Sequence, residues 1–117
     1  MKDTVSGCSV EEAMHLLGGR WRLLIVSYLV DGPKRFNELR RLIPGISQRM
    51  LTLTLRTLER DGMISRTVTP SIPPRVDYAL TERGRSSLAP LAALHKWAQV
   101  HSDGIEASRR DFDERAE

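Results

Sequence analysis

The stretch Leu42-Ile43-Pro44-Gly45-Ile46-Ser47-Gln48-Arg49-Met50-Leu51 holds a helix stop and a helix start side by side. Pro44 and Gly45 break the helix before them. Ser47 is a strong N-cap for a helix running to about Asp61. Ile46, just before the cap, and Leu51, four residues into the helix, are placed to form a hydrophobic staple that fixes the angle of entry. At roughly 100° per residue, Leu51, Leu55 and Leu58 fall on one stripe. Arg49, Thr52, Leu53, Arg56 and Arg60 fall opposite it. Two short helices joined by a tight, glycine-containing turn form the pattern of a helix-turn-helix.

Upstream, a short helix with Phe36, Leu39, Leu42 and Ile43 turned inward is expected, capped by Asn37. Asp31-Gly32-Pro33 stops a helix running from Arg20 to about Val30, whose apolar face is Trp21, Leu24, Ile25, Tyr28 and Leu29. Gly18-Gly19 closes a first helix that opens at Ser9, where Ser9 and Glu12 make a capping-box pattern. Residues 1–8 are expected to form a short arm.

Downstream of Gly62 the apolar period changes to two, with Ile64 and Val68 and then Val76, Tyr78 and Leu80. Thr69-Pro70-Ser71-Ile72-Pro73-Pro74-Arg75 lies between the two runs. Its three prolines cannot belong to a paired strand, so it is a hairpin tip. A hairpin directly after a helix-turn-helix is a wing. Thr81 then caps a last helical region, with Gly84 inside it and Pro90 bending or restarting it. Leu91, Leu94 and Ala98 line one face there, with Leu88 and Trp97 beside them, and a polar tail follows His101.

The expected fold is α+β, mainly α: a winged helix-turn-helix with a two-stranded β-hairpin wing and helices at both ends. It forms one domain over residues 1–117, with N-terminal helices at 9–30, the helix-turn-helix at 36–61, the wing at 63–80, a C-terminal helix at 82–101 and a polar tail at 102–117. A chain of 117 residues has no room for a second core. Its 40% apolar content is that of a globular domain.

The net charge of +3 hides a segregation. Residues 20–85 carry thirteen Lys or Arg against six Asp or Glu, whereas residues 103–117 carry six acids against three arginines. A basic middle with an acidic tail points to a polyanion met by the middle alone. Arg49 and Arg56 can fork to guanine, while Thr52 and Leu53 can meet a base edge or a thymine methyl. Gln48, Arg49, Thr52 and Leu53 are therefore the expected base readers, with Arg56 reaching a base or a phosphate. Ser47 and its neighbouring N–H groups would hold a backbone phosphate. Lys34 and Arg35 are candidate phosphate contacts; Arg40 and Arg41 are either that or plain surface charge. Arg66 and Arg75 are expected near the wing tip. Arg75 admits two readings, a minor-groove or phosphate contact, or a surface partner of Asp77.

Several classes of function are excluded. One cysteine, Cys8, rules out an intramolecular disulfide and a cysteine-based zinc site. His15, His95 and His101 lack metal-ligand spacing. Gly18-Gly19 has no strand before it and no Lys-Ser/Thr after it, so it is a turn and not a phosphate loop. No catalytic constellation is present, so an enzyme is not expected, nor is a cofactor. No apolar run is long enough to span a bilayer, and the chain is expected to be cytoplasmic.

The run Cys8-Ser9-Val10-Glu11 through Gly18-Gly19-Arg20-Trp21, then Asp31-Gly32-Pro33-Lys34-Arg35-Phe36 and Glu38-Leu39, resembles the HxlR family of bacterial regulators. So do Leu42 to Ser47, Leu51, Leu55, Leu58-Glu59-Arg60-Asp61-Gly62, and Pro73-Pro74-Arg75-Val76-Asp77-Tyr78-Ala79-Leu80-Thr81-Glu82-Arg83-Gly84. The resemblance runs from Cys8 to about Trp97. It implies a winged-helix homodimer that represses or activates genes by binding double-stranded DNA at a pseudo-palindromic operator. It also implies that the first and last helices build the dimer interface, with Val10, Met14, Leu88, Leu91, Leu94 and Trp97 as its residues. Otherwise Leu88, Leu91, Leu94 and Trp97 cover only their own subunit.

Many members of that family carry a cysteine where Cys8 stands, and some sense oxidants or electrophiles through it. The positive end of the first helix favours a thiolate there, while Asp3, Glu11 and Glu12 oppose it. The plain alternative is a small packing residue. Ser9 follows Cys8 where the family usually has proline. The leading function is a sequence-specific DNA-binding regulator, expected to be a repressor. The alternative is a winged helix that binds a protein partner. The operator, the regulated genes and the effector are not written in the sequence.

Overall fold

The computed structural model describes residues 7–116; of residues 7–9 and Leu17 it describes the backbone alone. The elements run α1 (Gly7–Leu17), α2 (Arg20–Tyr28), α3 (Phe36–Leu42), α4 (Gln48–Arg60), β1 (Ile64–Thr69), β2 (Arg75–Leu80), α5 (Glu82–Ser86) and α6 (Leu88–Arg115). This is the expected winged helix-turn-helix, mainly helical with one two-stranded antiparallel sheet. Two compact units are present, Met1–Ser86 and Ser87–Glu117.

In the first unit the helical part of the core is assembled from one stripe each of α2, α3 and α4. Ile25, Val26 and Leu29 come from α2 and its end, Leu39 and Ile43 from α3 and its end, and Leu51, Leu55 and Leu58 from α4. Each buried aliphatic side chain of this size contributes about 1.5–3 kcal/mol by leaving water. Ile46 and Leu51, the two staple residues, are both buried. The turn between α3 and α4 depends on Gly45, whose φ of 85° is a left-handed value that favours glycine.

The wing is a hairpin in the register Ile64↔Leu80, Arg66↔Tyr78, Val68↔Val76 and Thr69↔Arg75. Its base is sewn to the helices. Lys34 and Tyr78 exchange two backbone hydrogen bonds, of 2.9 and 2.8 Å, so the segment before α3 pairs with the outer edge of β2. Thr81 closes the hairpin: its N–H donates to the Met63 carbonyl at 3.1 Å and its hydroxyl to the Gly62 carbonyl at 2.6 Å. The same hydroxyl accepts from the Gly84 N–H at 3.0 Å, which caps α5.

Several expectations need correction. α1 opens at Gly7, so Ser9 lies inside the helix and is not its cap. α2 ends at Tyr28, with Leu29 as its C-cap, two residues short of Val30. α3 is capped by Arg35 instead of Asn37, because Glu38 at the third helical position accepts the Arg35 N–H at 2.8 Å. Leu42 is exposed; with only seven residues, α3 offers the core the stripe of Leu39 and, just past its end, Ile43.

The largest difference is at the C-terminus. The helix expected over 82–101 is two helices broken at Ser87, and the expected polar tail is helical to Arg115. Pro90 sits in the first turn of α6, where its missing N–H costs nothing. The tail reads as polar, but it is built of good helix formers. Glu106 and Arg110 stand one turn apart at 4.0 Å, and Ile105 and Phe112 carry an apolar stripe along it.

α5 approaches the α4–β1 turn so closely that a Cβ on Gly84 would collide with the Met63 carbonyl oxygen. Gly84→Ala is expected to cost about 1–3 kcal/mol by overpacking, despite alanine's better helix propensity. Urea denaturation against the parent chain checks this, and an unchanged midpoint would refute it.

Candidate nucleic-acid interface

The rotation of α4 is fixed by what it buries. Leu51, Leu55 and Leu58 point inward, joined by Thr54, whose hydroxyl is turned back onto the Met50 carbonyl at 2.7 Å. The opposite face is therefore outward. Gln48, Arg49, Thr52, Leu53 and Arg56 line one open depression of about 520 Å³. Leu53 is 55% exposed in its middle. The face thus offers forked donors, a hydroxyl and an apolar patch together, a mixture complementary to the acceptors and methyl groups that base edges present in a major groove.

Ser47 caps this helix by accepting the Met50 N–H at 3.0 Å. The N–H groups of Gln48 and Arg49 have no acceptor inside the helix. They stand at the positive end of α4, where an anion is stabilised.

The two wing arginines lie on opposite faces of the hairpin. Arg66 shares its face with Ile64, Val68, Val76, Tyr78 and Leu80; Arg75 shares the other with Thr69, Thr67 and Asp77. Arg66 is not near the tip as expected: it stands on the third of six rungs, counted from the base. Arg75 holds the last rung before the Pro70–Pro74 loop, and its Nε lies 3.0 Å from Asp77 Oδ2. Of the two readings of Arg75, the partner of Asp77 is the one formed here. Ile72, at the tip, is fully exposed.

Two further clefts border the wing. Arg35, Asn37, Arg41, Arg75 and Asp77 border one of about 610 Å³ between α3 and the wing. Lys34, half-buried, commits its backbone to Tyr78. Thr52, Arg56, Glu59, Arg66 and Tyr78 line the other, of about 430 Å³, between α4 and the wing. The sequence alone does not single out Asn37, Glu59 and Tyr78 as site residues, and it leaves two readings for Arg41. The signal for Glu59 was its place at i+7 from Thr52 and i+3 from Arg56, and for Tyr78 its alternation with Leu80.

The cysteine and the interface candidates lie elsewhere. Cys8 is in the first turn of α1 by its backbone, and its side chain lies outside the described residues. Val10 and Met14 of α1 are exposed. On α6, Leu94 and Trp97 are exposed, Leu88 and Leu91 half-buried, and no residue of that helix is fully buried. Trp97 and His101 stack with ring centroids 4.6 Å apart. Among the described residues no cluster of three or more His, Cys, Asp or Glu could hold a metal, and no helix is long and apolar enough to cross a membrane.

The profile of the HxlR-like helix-turn-helix family matches residues 16–106. The HTH-type transcriptional regulator YdeP of Bacillus subtilis (strain 168) is 46% identical over 114 residues, covering 95% of this chain and 89% of its own. The redox regulator HypR in its reduced form superposes with a TM-score of 0.79 at 43% identity, covering 84% of this chain and 97% of that one. The reduced form of the transcriptional regulator YodB from B. subtilis gives 0.72 at 42% identity, over 81% and 92%. HypR is also known in an oxidised form and YodB after diamide treatment.

The Arg75 side chain is 52% exposed and that of Asp77 21%, so their ion pair is largely screened by water. Arg75→Ala is expected to change stability by less than about 1 kcal/mol. A larger shift of the denaturation midpoint would mean that the pair holds the wing together.

Proposed function

Because the chain belongs to the HxlR-like helix-turn-helix family, we infer that it is a DNA-binding transcriptional regulator whose reading element is α4. The observation that carries this is the outward face of Gln48, Arg49, Thr52, Leu53 and Arg56 set opposite a buried leucine seam and beside a hairpin wing. Gln48, Arg49, Thr52 and Leu53 meet base edges in the major groove, and Arg56 a base or the backbone. Ser47 and the first N–H groups of α4 take a phosphate, as do Lys34 and Arg35. The wing supplies Arg66 and Arg75. Positive charge concentrated in residues 20–85 supports this division of labour.

The regulator acts as a homodimer on a paired operator, expected to repress. Val10 and Met14 on α1, and Leu88, Leu91, Leu94 and Trp97 on α6, form the faces that a second copy covers. A two-fold protein matches a two-fold site. Cys8 is the candidate signal: HypR and YodB, both more than 40% identical, are described in reduced and in oxidised or diamide-treated states. A thiol at the start of α1, beside a dimer face, would alter operator affinity when oxidised by bonding to its counterpart or to a small thiol.

Binding to the DNA upstream of the protein's own gene tests the main reading. Affinity should fall with salt at a log–log slope near −0.9 per phosphate contact, with about 6–10 contacts for a dimer. Arg49→Ala should lower the preference for that duplex over a scrambled one by about tenfold or more. Unchanged preference would remove α4 as the reader. For the thiol, diamide-treated chain should run as a linked pair or carry a mixed disulfide by mass, and Cys8→Ser should do neither. Unaltered mobility, mass and operator affinity after oxidation would leave Cys8 as a packing residue.

A further inference from the structure

We propose that the cleft between α4 and the inner face of the wing is a seat for one phosphate of the DNA backbone, held by Arg56, Arg66 and Tyr78, with the base-reading Thr52 at its edge. This rests on the DNA-binding reading above and gives those three side chains a shared task. Thr52, Arg56 and Glu59 recur at i, i+4 and i+7 along α4 and so present one face. Arg66 and Tyr78 are direct partners across the hairpin and face that stripe over a space of about 430 Å³.

Arg66 is an exposed residue on the inner face of the hairpin, between the buried Ile64↔Leu80 pair and a Val68↔Val76 pair whose Val68 is itself exposed. Among the described residues, neither Arg66 nor Arg56 has an ion-pair or hydrogen-bond partner for its guanidinium. Arg75, on the other face, is tied to Asp77. Two uncompensated forks and two hydroxyl donors thus border one cleft whose only carboxylate is Glu59. Guanidinium forks match phosphate oxygens in pairs, and an anion is what this set lacks.

The geometry of duplex DNA supplies that anion. A single sugar–phosphate strand separates a major groove from the adjacent minor groove. A protein that lays α4 in the first and its wing over the second must straddle that strand. The cleft between α4 and the wing is where it passes. Arg56 and Arg66 therefore grip the backbone and do not read bases, and Tyr78 donates its phenolic O–H to the same phosphate. Glu59 faces the phosphate as a like charge and limits how tightly it is held.

Fluorescence anisotropy of the full chain on the upstream duplex and on a scrambled duplex tests this. Arg66→Ala should weaken both by about tenfold and lower the salt slope by about 0.9, leaving the preference between them unchanged. Tyr78→Phe should weaken both by a smaller equal factor. Glu59→Gln should tighten both, a gain that misfolding does not mimic. A change in preference with Arg66→Ala would make Arg66 a base reader and overturn the seat. So would unchanged affinity and slope while Arg49→Ala abolishes the preference, an outcome that leaves the DNA-binding reading intact. Saturable binding of inorganic phosphate lost in Arg66→Ala, with DNA affinity indifferent to that change, would assign the cleft to a free phosphate compound and overturn it too. A parent chain that binds neither duplex overturns both readings.

Discussion

A helix can turn only one stripe toward a core, and in α4 that stripe is Leu51, Leu55 and Leu58. Everything at the candidate interface depends on this choice. With these three side chains inside, Arg49, Thr52, Leu53 and Arg56 have no other direction than outward, as their angular positions require. The Ser47 cap and the buried Ile46 set where the helix begins, and so set its phase relative to the chain before it. A helix shifted by one residue would bury Arg56 or Thr52, a loss far larger than any gain on the outer face.

The wing needs a second constraint, because a two-stranded hairpin is marginal alone. Pairing of Lys34 with Tyr78 supplies it, using backbone groups that depend on no particular side chain. The segment entering α3 becomes a third rung beside β2. One edge of the hairpin is thereby held to the same helix-turn-helix that carries the reading face. Thr81 does similar work at the base, with one hydroxyl serving both the Gly62 carbonyl and the Gly84 N–H. The separation of α4 from the wing is thus set by short backbone-linked joints and not by long side chains.

Most of the first unit was legible because strong local signals agreed there. Pro44-Gly45, Ser47 and the leucine stripe each pointed to the same turn and helix, and the three prolines between Thr69 and Arg75 could only be a tip. Misreadings came where local signals competed. Asn37 is the better capping residue by type, yet Glu38 reaching back to the Arg35 N–H moved the start of α3 upstream. The polar run after His101 lacks a strong apolar signal, but alanine, glutamate and arginine are content in a helix, and α6 continues to Arg115. Pairwise features across elements were not legible at all. The register that puts Arg66 opposite Tyr78 depends on a five-residue loop whose conformation composition does not reveal.

That register also separates two arginines that look equivalent in the sequence. Both flank the wing tip in the chain, and both would be counted as basic wing residues. In space one is neutralised along its own strand by Asp77, whereas the other is exposed on the opposite face, borders a cleft with Arg56 and Glu59, and forms no ion pair among the described residues. An exposed, paired arginine is cheap to keep and says little about a ligand. An exposed arginine that shares a cleft with a second unpaired arginine keeps both guanidinium forks free for an anion. The asymmetry therefore argues that the inner face of the wing, more than its tip, couples this domain to the backbone of its DNA.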